Sequence, residues 1–315
     1  MTLRQQVLST MKSRDTEGSF ELYATRTPGY LWAQLFRRIG VHPIAVTMLS
    51  MVIGSLSGYF FYRQELSWNA VGMLLLVWAN WYDCADGQLA RMTGKTSVLG
   101  RILDGFAGDL WFFFIYLGIA MRLQPEWGAW SWLLCGVAGV FFHARQCSLA
   151  DYYRNAHLYF IGVANELERS ADVEARYRTL SWRSRDWFEK LYLLCYASYT
   201  RGQEKPTPDF QKLYNKVRAT CAAGRKLPEN FTDDYRTFSK PLMPLCQILT
   251  FDARVGVLFL TLLLGQPWLY PALEITAFEA LRIYTNRRHE HGCRRLTAQY
   301  FPVTTDTPNT KNLTH

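Results

Sequence analysis

Four aspartates raise the first question. Asp83, Asp86, Asp104 and Asp109 stand within "DCADGQLARMTGKTSVLGRILDGFAGD", a stretch flanked by long apolar runs. A carboxylate near the middle of a membrane helix costs about 2.5 to 3.5 kcal/mol on insertion scales, so a function must offset it. On a helix advancing about 100° per residue, Asp83, Asp86, Gly87 and Ala90 fall on one polar, small-residue stripe with Arg91 at its border. Beyond the short loop "MTGKTSV", a second helix opens with Gly100 and Asp104 on one side. Two antiparallel helices can therefore aim at least three carboxylates at one point.

Clustered carboxylates repel one another unless a cation sits between them. Oxygen-only ligands suit hard divalent ions, Mg²⁺ or Mn²⁺, which keep coordination positions free for water or a substrate phosphate. Two such ions about 3.5–4 Å apart brace the attacking and leaving oxygens of a phosphoryl displacement. Gly87 and Ala90 leave room for a phosphate-bearing ligand against the backbone, and Arg91 suits pairing with its phosphates.

The elements that hold such a site read as membrane helices. Mean hydropathy is only -0.09, because apolar blocks alternate with a polar, basic middle section, and 15% of the 315 residues are aromatic. Six blocks, about 43–62, 68–91, 98–121, 127–147, 245–265 and 267–286, are long enough to cross roughly 30 Å of hydrocarbon at about 1.5 Å per residue. With the N-terminus inside, the outer loops hold only Arg63 and Arg122, whereas Arg37, Arg38, Arg91, Arg145, Arg287 and Arg288 flank the inner ends. Both chain ends and the acidic site are thus expected on the cytoplasmic face of a bacterial inner membrane or its equivalent. The first thirty residues lack the apolar core of a cleaved signal, so the first block is expected to direct insertion.

The expected fold is all-α and polytopic. A cytoplasmic segment, 1–40, contains an interfacial amphipathic helix in "PGYLWAQLFRRIG", with Leu31, Trp32, Leu35, Phe36 and Ile39 on one face. A packed core helix fits that pattern equally well, and the position just before a span favours the interface. Spans one to four and the acidic motif occupy 41–150, a helical cytoplasmic insertion 151–242, spans five and six 243–290, and a cytoplasmic tail 291–315. Within Asp151–Lys240, 16 Lys and Arg stand against 12 Asp and Glu, and helices are expected at 153–169, 173–200, 208–222 and 230–238. Arg interleaved with aromatics suits anionic headgroups, at about 1 kcal/mol per basic residue, better than nucleic acid, for which no binding signature is visible. Seven scattered Cys without a C-x-x-C pair argue against a disulfide framework or a structural zinc.

The spacing D-x2-D-G-x2-A-R-x8-G-x3-D, met by Asp83, Asp86, Gly87, Ala90, Arg91, Gly100 and Asp104, resembles the signature of the CDP-alcohol phosphotransferase (CDP-alcohol phosphatidyltransferase) family. The "VHPIAVTMLS" entry to the first span resembles that family too, and the likeness covers roughly 27–150 and 243–288. The resemblance implies that an alcohol hydroxyl attacks a phosphorus of a CDP-linked substrate and CMP leaves. It further implies two divalent ions, Mg²⁺ or Mn²⁺, on Asp83, Asp86 and Asp104, a cytidine diphosphate site lined by Gly87, Ala90, Arg91 and Gly100, and a homodimer. One position departs from the pattern: the family's fourth Asp, second-metal ligand and general base, belongs at 108, where this chain has Gly108 and then Asp109. A regular helix turns Asp109 about 140° from Asp104, so a single-turn π-bulge at Gly105–Asp109 is expected to bring it back.

Among other candidates, Arg145 beside His143, and Arg254, suit an acceptor or headgroup phosphate, against the plainer reading of positive-inside flanking. Glu274 and Glu279 lie inside the sixth block and are functional candidates, with Glu279–Arg282 an equally good intrahelical pair. His289 and His291 are expected to be solvated. The preferred function is transfer from CDP-diacylglycerol to a small polar alcohol, with inositol or its phosphate as candidate acceptor. Transfer from CDP-choline or CDP-ethanolamine to a diacylglycerol or ceramide is the alternative within the class. A divalent-cation transporter and a noncatalytic scaffold are the alternatives outside it.

Overall fold

The computed structural model describes residues 7, 13, 15, 16, 18–164, 166–182 and 187–302, and among these every regular element is helical. Helix α1 (Thr27–Arg38) leads into α2 (Pro43–Tyr62), α3 (Leu66–Thr93) and α4 (Val98–Trp127). His42 caps α2 by accepting the Ile44 amide, with Pro43 in the first turn. Four helical runs are long and apolar enough to cross a membrane: Pro43–Tyr62, Leu99–Trp127, Ala129–Phe160 and Phe231–Leu263. α3 is not among them; Asn69, Asn80, Asp83 and Asp86 dilute its apolar character.

α2 packs against both α3 and α4. It meets α4 through glycines: a Cβ on Gly118 would lie 2.2 Å from the Gly58 carbonyl oxygen, and one on Gly58 2.3 Å from the Phe114 carbonyl oxygen. Such small-residue crossings let membrane helix backbones approach closely. Below the crossing lies an apolar core of Phe61, Leu76, Trp111, Ile115 and Ile119. α1 uses one side against α3, burying Ala33 and Phe36 with Tyr82 and Ala85, while Leu31, Leu35 and Ile39 are exposed. α1 is therefore packed on one side and leaves an exposed apolar side opposite.

The fourth apolar block is longer than the expected span. α5 (Ala129–Val137) passes through a π-helical segment, Ala138–His143, into α6 (Ala144–Phe160) without a break. The first helix expected in the insertion is thus the C-terminal half of this run, and the helix expected at 173–200 is two, α7 (Ser170–Thr179) and α8 (Trp187–Glu204). α9 (Pro208–Ala222) and α10 (Phe231–Ser239) follow close to expectation, then α11 (Met243–Ile248), α12 (Phe251–Leu263) and α13 (Leu269–Leu273). A second π-helical segment, Glu274–Phe278, joins α13 to α14 (Glu279–Tyr300).

α14 continues through Tyr300, so residues 291–300 are no loose tail. Cys293 and Leu296 are fully buried with Tyr153, Phe160, Phe210, Phe231 and Tyr235, a core shared by α6, the insertion and the last helix. His289 is likewise not solvated: it is buried, its ring stacked on Tyr153 at a centroid distance of 4.0 Å, whereas His291 is exposed. Residues 303–315 of the expected tail lie outside the described residues.

Candidate metal and phosphate site

The turn between α3 and α4 sets the site. Gly94 ends α3 with φ 67°, a left-handed conformation that glycine adopts without a side-chain penalty. Ser97 then caps α4 by accepting the Gly100 amide at 3.0 Å. This tight reversal brings Asp104 back beside Asp83 and Asp86, and one carboxylate oxygen from each lies within 4.8 Å of the others. Asp86 is buried, Asp83 half-buried and Asp104 exposed, so the group opens to one side.

Two observations fit this group to a divalent cation. All three donors are carboxylate oxygens, the ligands that Mg²⁺ and Mn²⁺ favour. Asp83 Oδ1 is moreover buried with no hydrogen-bond partner, and a buried carboxylate oxygen without a donor is costly unless a cation meets it. Asp86 is held by the Thr47 hydroxyl of α2. Sequence reasoning missed Thr47, whose only signal is a hydroxyl inside the apolar run that enters the first span.

The small residues line open space. A Cβ on Gly87 would meet only the Arg91 Nη1 at 3.5 Å, so Arg91 folds back along the stripe. A Cβ on Gly105 or Gly108 would meet nothing within 4 Å. Gly108, about 40° from Asp104 on the helix, faces the same way. Gly100 is more enclosed, 3.0 Å from Ser97 Oγ, and Ala90 is half-buried on the same stripe.

Asp109 is the exception. α4 is regular α-helix through 105–109, so the expected π-bulge is absent and Asp109 does not join the three carboxylates. It lies instead within electrostatic reach of His143 and Tyr199. Open space at Gly105 and Gly108 imposes no crowding that would force an extra residue into the turn.

The π segments occur where α5 and α13 approach each other, and a fully buried polar network sits there. Arg254 pairs with Glu274, donates to Gln146 Oε1 at 2.7 Å and to the Leu249 carbonyl at 2.8 Å. Glu274 also accepts from Tyr270 at 2.6 Å and from Tyr116, and lies 3.3 Å from His143 Nδ1. Arg254, fully buried among these partners, is thereby unavailable to a substrate phosphate, a correction to its expected role. Arg145 remains exposed. Of the two readings of Glu279, the structure shows the intrahelical pair, with Arg282 at 2.6 Å. A second group, His289, Glu290 and Cys293, also brings ligand atoms within 4.8 Å. There, however, Glu290 accepts the Asp209 and Phe210 amides at 2.6 and 3.2 Å, which makes it a cap for α9.

Residues 41–157 match the model of the CDP-alcohol phosphatidyltransferase family. Through this segment, a little over a third of the chain, the protein is similar to that family. The matched segment runs from the residue before the α2 cap into α6, and so contains Thr47, the three converging carboxylates, Asp109 and His143; Arg254, Glu274 and α7–α14 lie outside it. The chain is also similar to the archaetidylinositol phosphate synthase of Pyrococcus horikoshii, 33% identical over 131 residues, which are 42% of this chain and 66% of that relative. It therefore spans just under two thirds of that relative's length. No solved structure matches the chain.

Proposed function

We propose that this chain is a membrane-embedded CDP-alcohol phosphotransferase of phospholipid synthesis. The observation that carries this reading is the convergence of Asp83, Asp86 and Asp104, with an unpartnered buried oxygen on Asp83, inside the segment that matches the family. In the proposed site these three residues hold Mg²⁺ or Mn²⁺, two ions as the resemblance implies. When bound, such ions neutralise the donor's pyrophosphate and stabilise charge on its phosphoryl oxygens. Thr47 fixes the Asp86 carboxylate, Gly87 and Gly108 leave the ligand free access, and Arg91, with Ala90 and Gly100 on the same lining, pairs with its phosphates. Asp109 stands apart and has no step in this scheme.

The preferred donor is CDP-diacylglycerol and the preferred acceptor inositol or inositol phosphate; the name of the Pyrococcus relative supports the acceptor. The proposal extends to six spans, with α3 and the run from α13 into α14 crossing beside the four apolar ones. Both chain ends and the acidic site then face the cytoplasm, which the Arg and Lys flanks support. A homodimer is carried by the resemblance alone. A cation-transport reading finds no support below the carboxylates, where Phe61, Leu76, Ile115 and Ile119 seal the core.

The test is CMP release by purified protein given a CDP-lipid, an alcohol panel and Mg²⁺ or Mn²⁺. Activity that disappears in Asp86→Ala, in protein that still elutes and melts as wild type, upholds the proposal. Metal-loaded wild type that releases no CMP from any donor overturns it.

A further inference from the structure

The insertion, outside the family match, carries an apolar surface that the described residues leave uncovered. α8 (Trp187–Glu204) buries Leu193 and Ala197 against Val173 of α7. Its other side exposes Trp187 (52%), Phe188 (41%), Leu191 (41%) and Leu194 (46%) together with Cys195. At about 100° per residue, these five share a face of about 120°. No exposed residue of α8 is charged before Arg201; Lys190 turns underneath to donate to the Leu180 carbonyl at 2.6 Å. A helix on a water-facing domain puts its charges on the open side. On α8 this face carries none, and the half-buried Glu189 lies about 100° beyond its edge.

Its position identifies what covers that face. Gln203 donates to the Ser148 carbonyl of α6 at 2.9 Å, and α8 also touches α4. Tyr192 lies within electrostatic reach of Arg101 and Tyr199 of Asp109. The helix is thereby held beside the end of α4 that carries Asp104, where α4 itself exposes Leu99 (42%) and Phe106 (50%) to its surroundings. The outward apolar surface of a membrane-crossing helix thus continues onto α8. Trp, Phe and Leu on an uncharged face at that level are the composition of a helix seated at the boundary between headgroups and acyl chains.

We infer that α8 lies in the membrane interface with its Trp187–Cys195 face in lipid, so that the insertion is a membrane-docked wall beside the acidic site and not a domain standing in water. The test uses Cys195 as its own probe position. Full-length Cys221→Ser protein is labelled with an environment-sensitive fluorophore and reconstituted into phosphatidylcholine–phosphatidylglycerol vesicles; Cys195→Ser protein labelled at the exposed Cys221 is the comparison, and the double serine variant gives the background. At Cys195 the emission shifts to the blue and is lost to lipids carrying a nitroxide near the headgroup more than to aqueous iodide, with the order reversed at Cys221. Iodide dominating at Cys195, or equal quenching at both positions, overturns the inference. So does protection at Cys195 that grows only with the protein-to-lipid ratio, which marks a second copy of the chain as the cover. No step of the readout depends on CMP release, so its failure and that of the proposed activity are distinguishable.

Discussion

The Thr47 hydroxyl of α2 donates to the carboxylate of Asp86 on α3, tying the first apolar helix to the acidic site. Groups that orient a metal ligand typically affect metal affinity or activity by about 10- to 100-fold when removed. Thr47→Val keeps the shape and removes the hydroxyl, so the Mg²⁺ concentration giving half-maximal CMP release rises into that range, while Thr47→Ser restores the wild-type curve. An unchanged Mg²⁺ titration for Thr47→Val shows that Asp86 needs no such support.

Glycines on α4 divide into two kinds that one substitution separates. An alanine at Gly118 drives its Cβ to 2.2 Å from a backbone oxygen of α2, whereas at Gly108 it meets nothing within 4 Å. Overpacking of this sort costs about 1–3 kcal/mol. Gly118→Ala therefore lowers the melting temperature in detergent, and Gly108→Ala leaves it unchanged while reducing CMP release by narrowing the space beside Asp104. Equal melting of all three proteins refutes the close helix crossing.

The legible part of this molecule is the part governed by local spacing. Asp83, Asp86 and Asp104 converge because their offsets on two helices joined by a tight turn leave little freedom, and both offsets and turn residues are visible in the chain. Asp109 fails for an instructive reason. Its recovery depends on a helix defect that two glycines permit but nothing requires, and the π segments form instead at "AGVFFH" and "EITAF", where His143 and Glu274 meet across 131 residues. Arg254 reads as an ordinary basic flank because its partner Glu274 lies on a different helix. His289 reads as solvated because the aromatic residues that enclose it come from α6, α9 and α10. Partners distant along the chain are what residue types and spacing do not disclose.

Asp15 gives a pH-dependent prediction outside the membrane-crossing helices. A hydrogen bond from Arg236, with Lys240 adding to it, holds its carboxyl well below the ordinary value of 3.8 despite partial desolvation; the Arg236 Nε contact is 2.6 Å. A depressed folded value means that this link stabilises fully above the unfolded value and is lost as pH falls through the folded one. The gap in melting temperature between wild type and Asp15→Asn is thus widest near neutral pH and narrows progressively as pH falls below 3.8, and added salt shrinks it because Arg236 and Lys240 are half exposed. A gap that does not shrink between about pH 5 and about pH 2, or never appears, excludes the ion pair as its source.

The Arg254–Glu274 pair, with both side chains 0% exposed, joins the last helices to the segment 41–157 through Gln146, Tyr116 and His143. Removing one partner of a buried pair leaves an uncompensated charge, at a cost of about 3–5 kcal/mol, whereas replacing both by neutral groups of similar volume is far milder. Arg254→Met leaves the Glu274 anion with two tyrosine hydroxyls and His143, and the protein melts well below wild type in detergent. In Arg254→Met/Glu274→Gln the carboxylate is gone while an amide still accepts from Tyr270, so the double variant melts above the single one. A double variant whose loss equals the sum of the losses in Arg254→Met and Glu274→Gln shows instead that the two residues act independently.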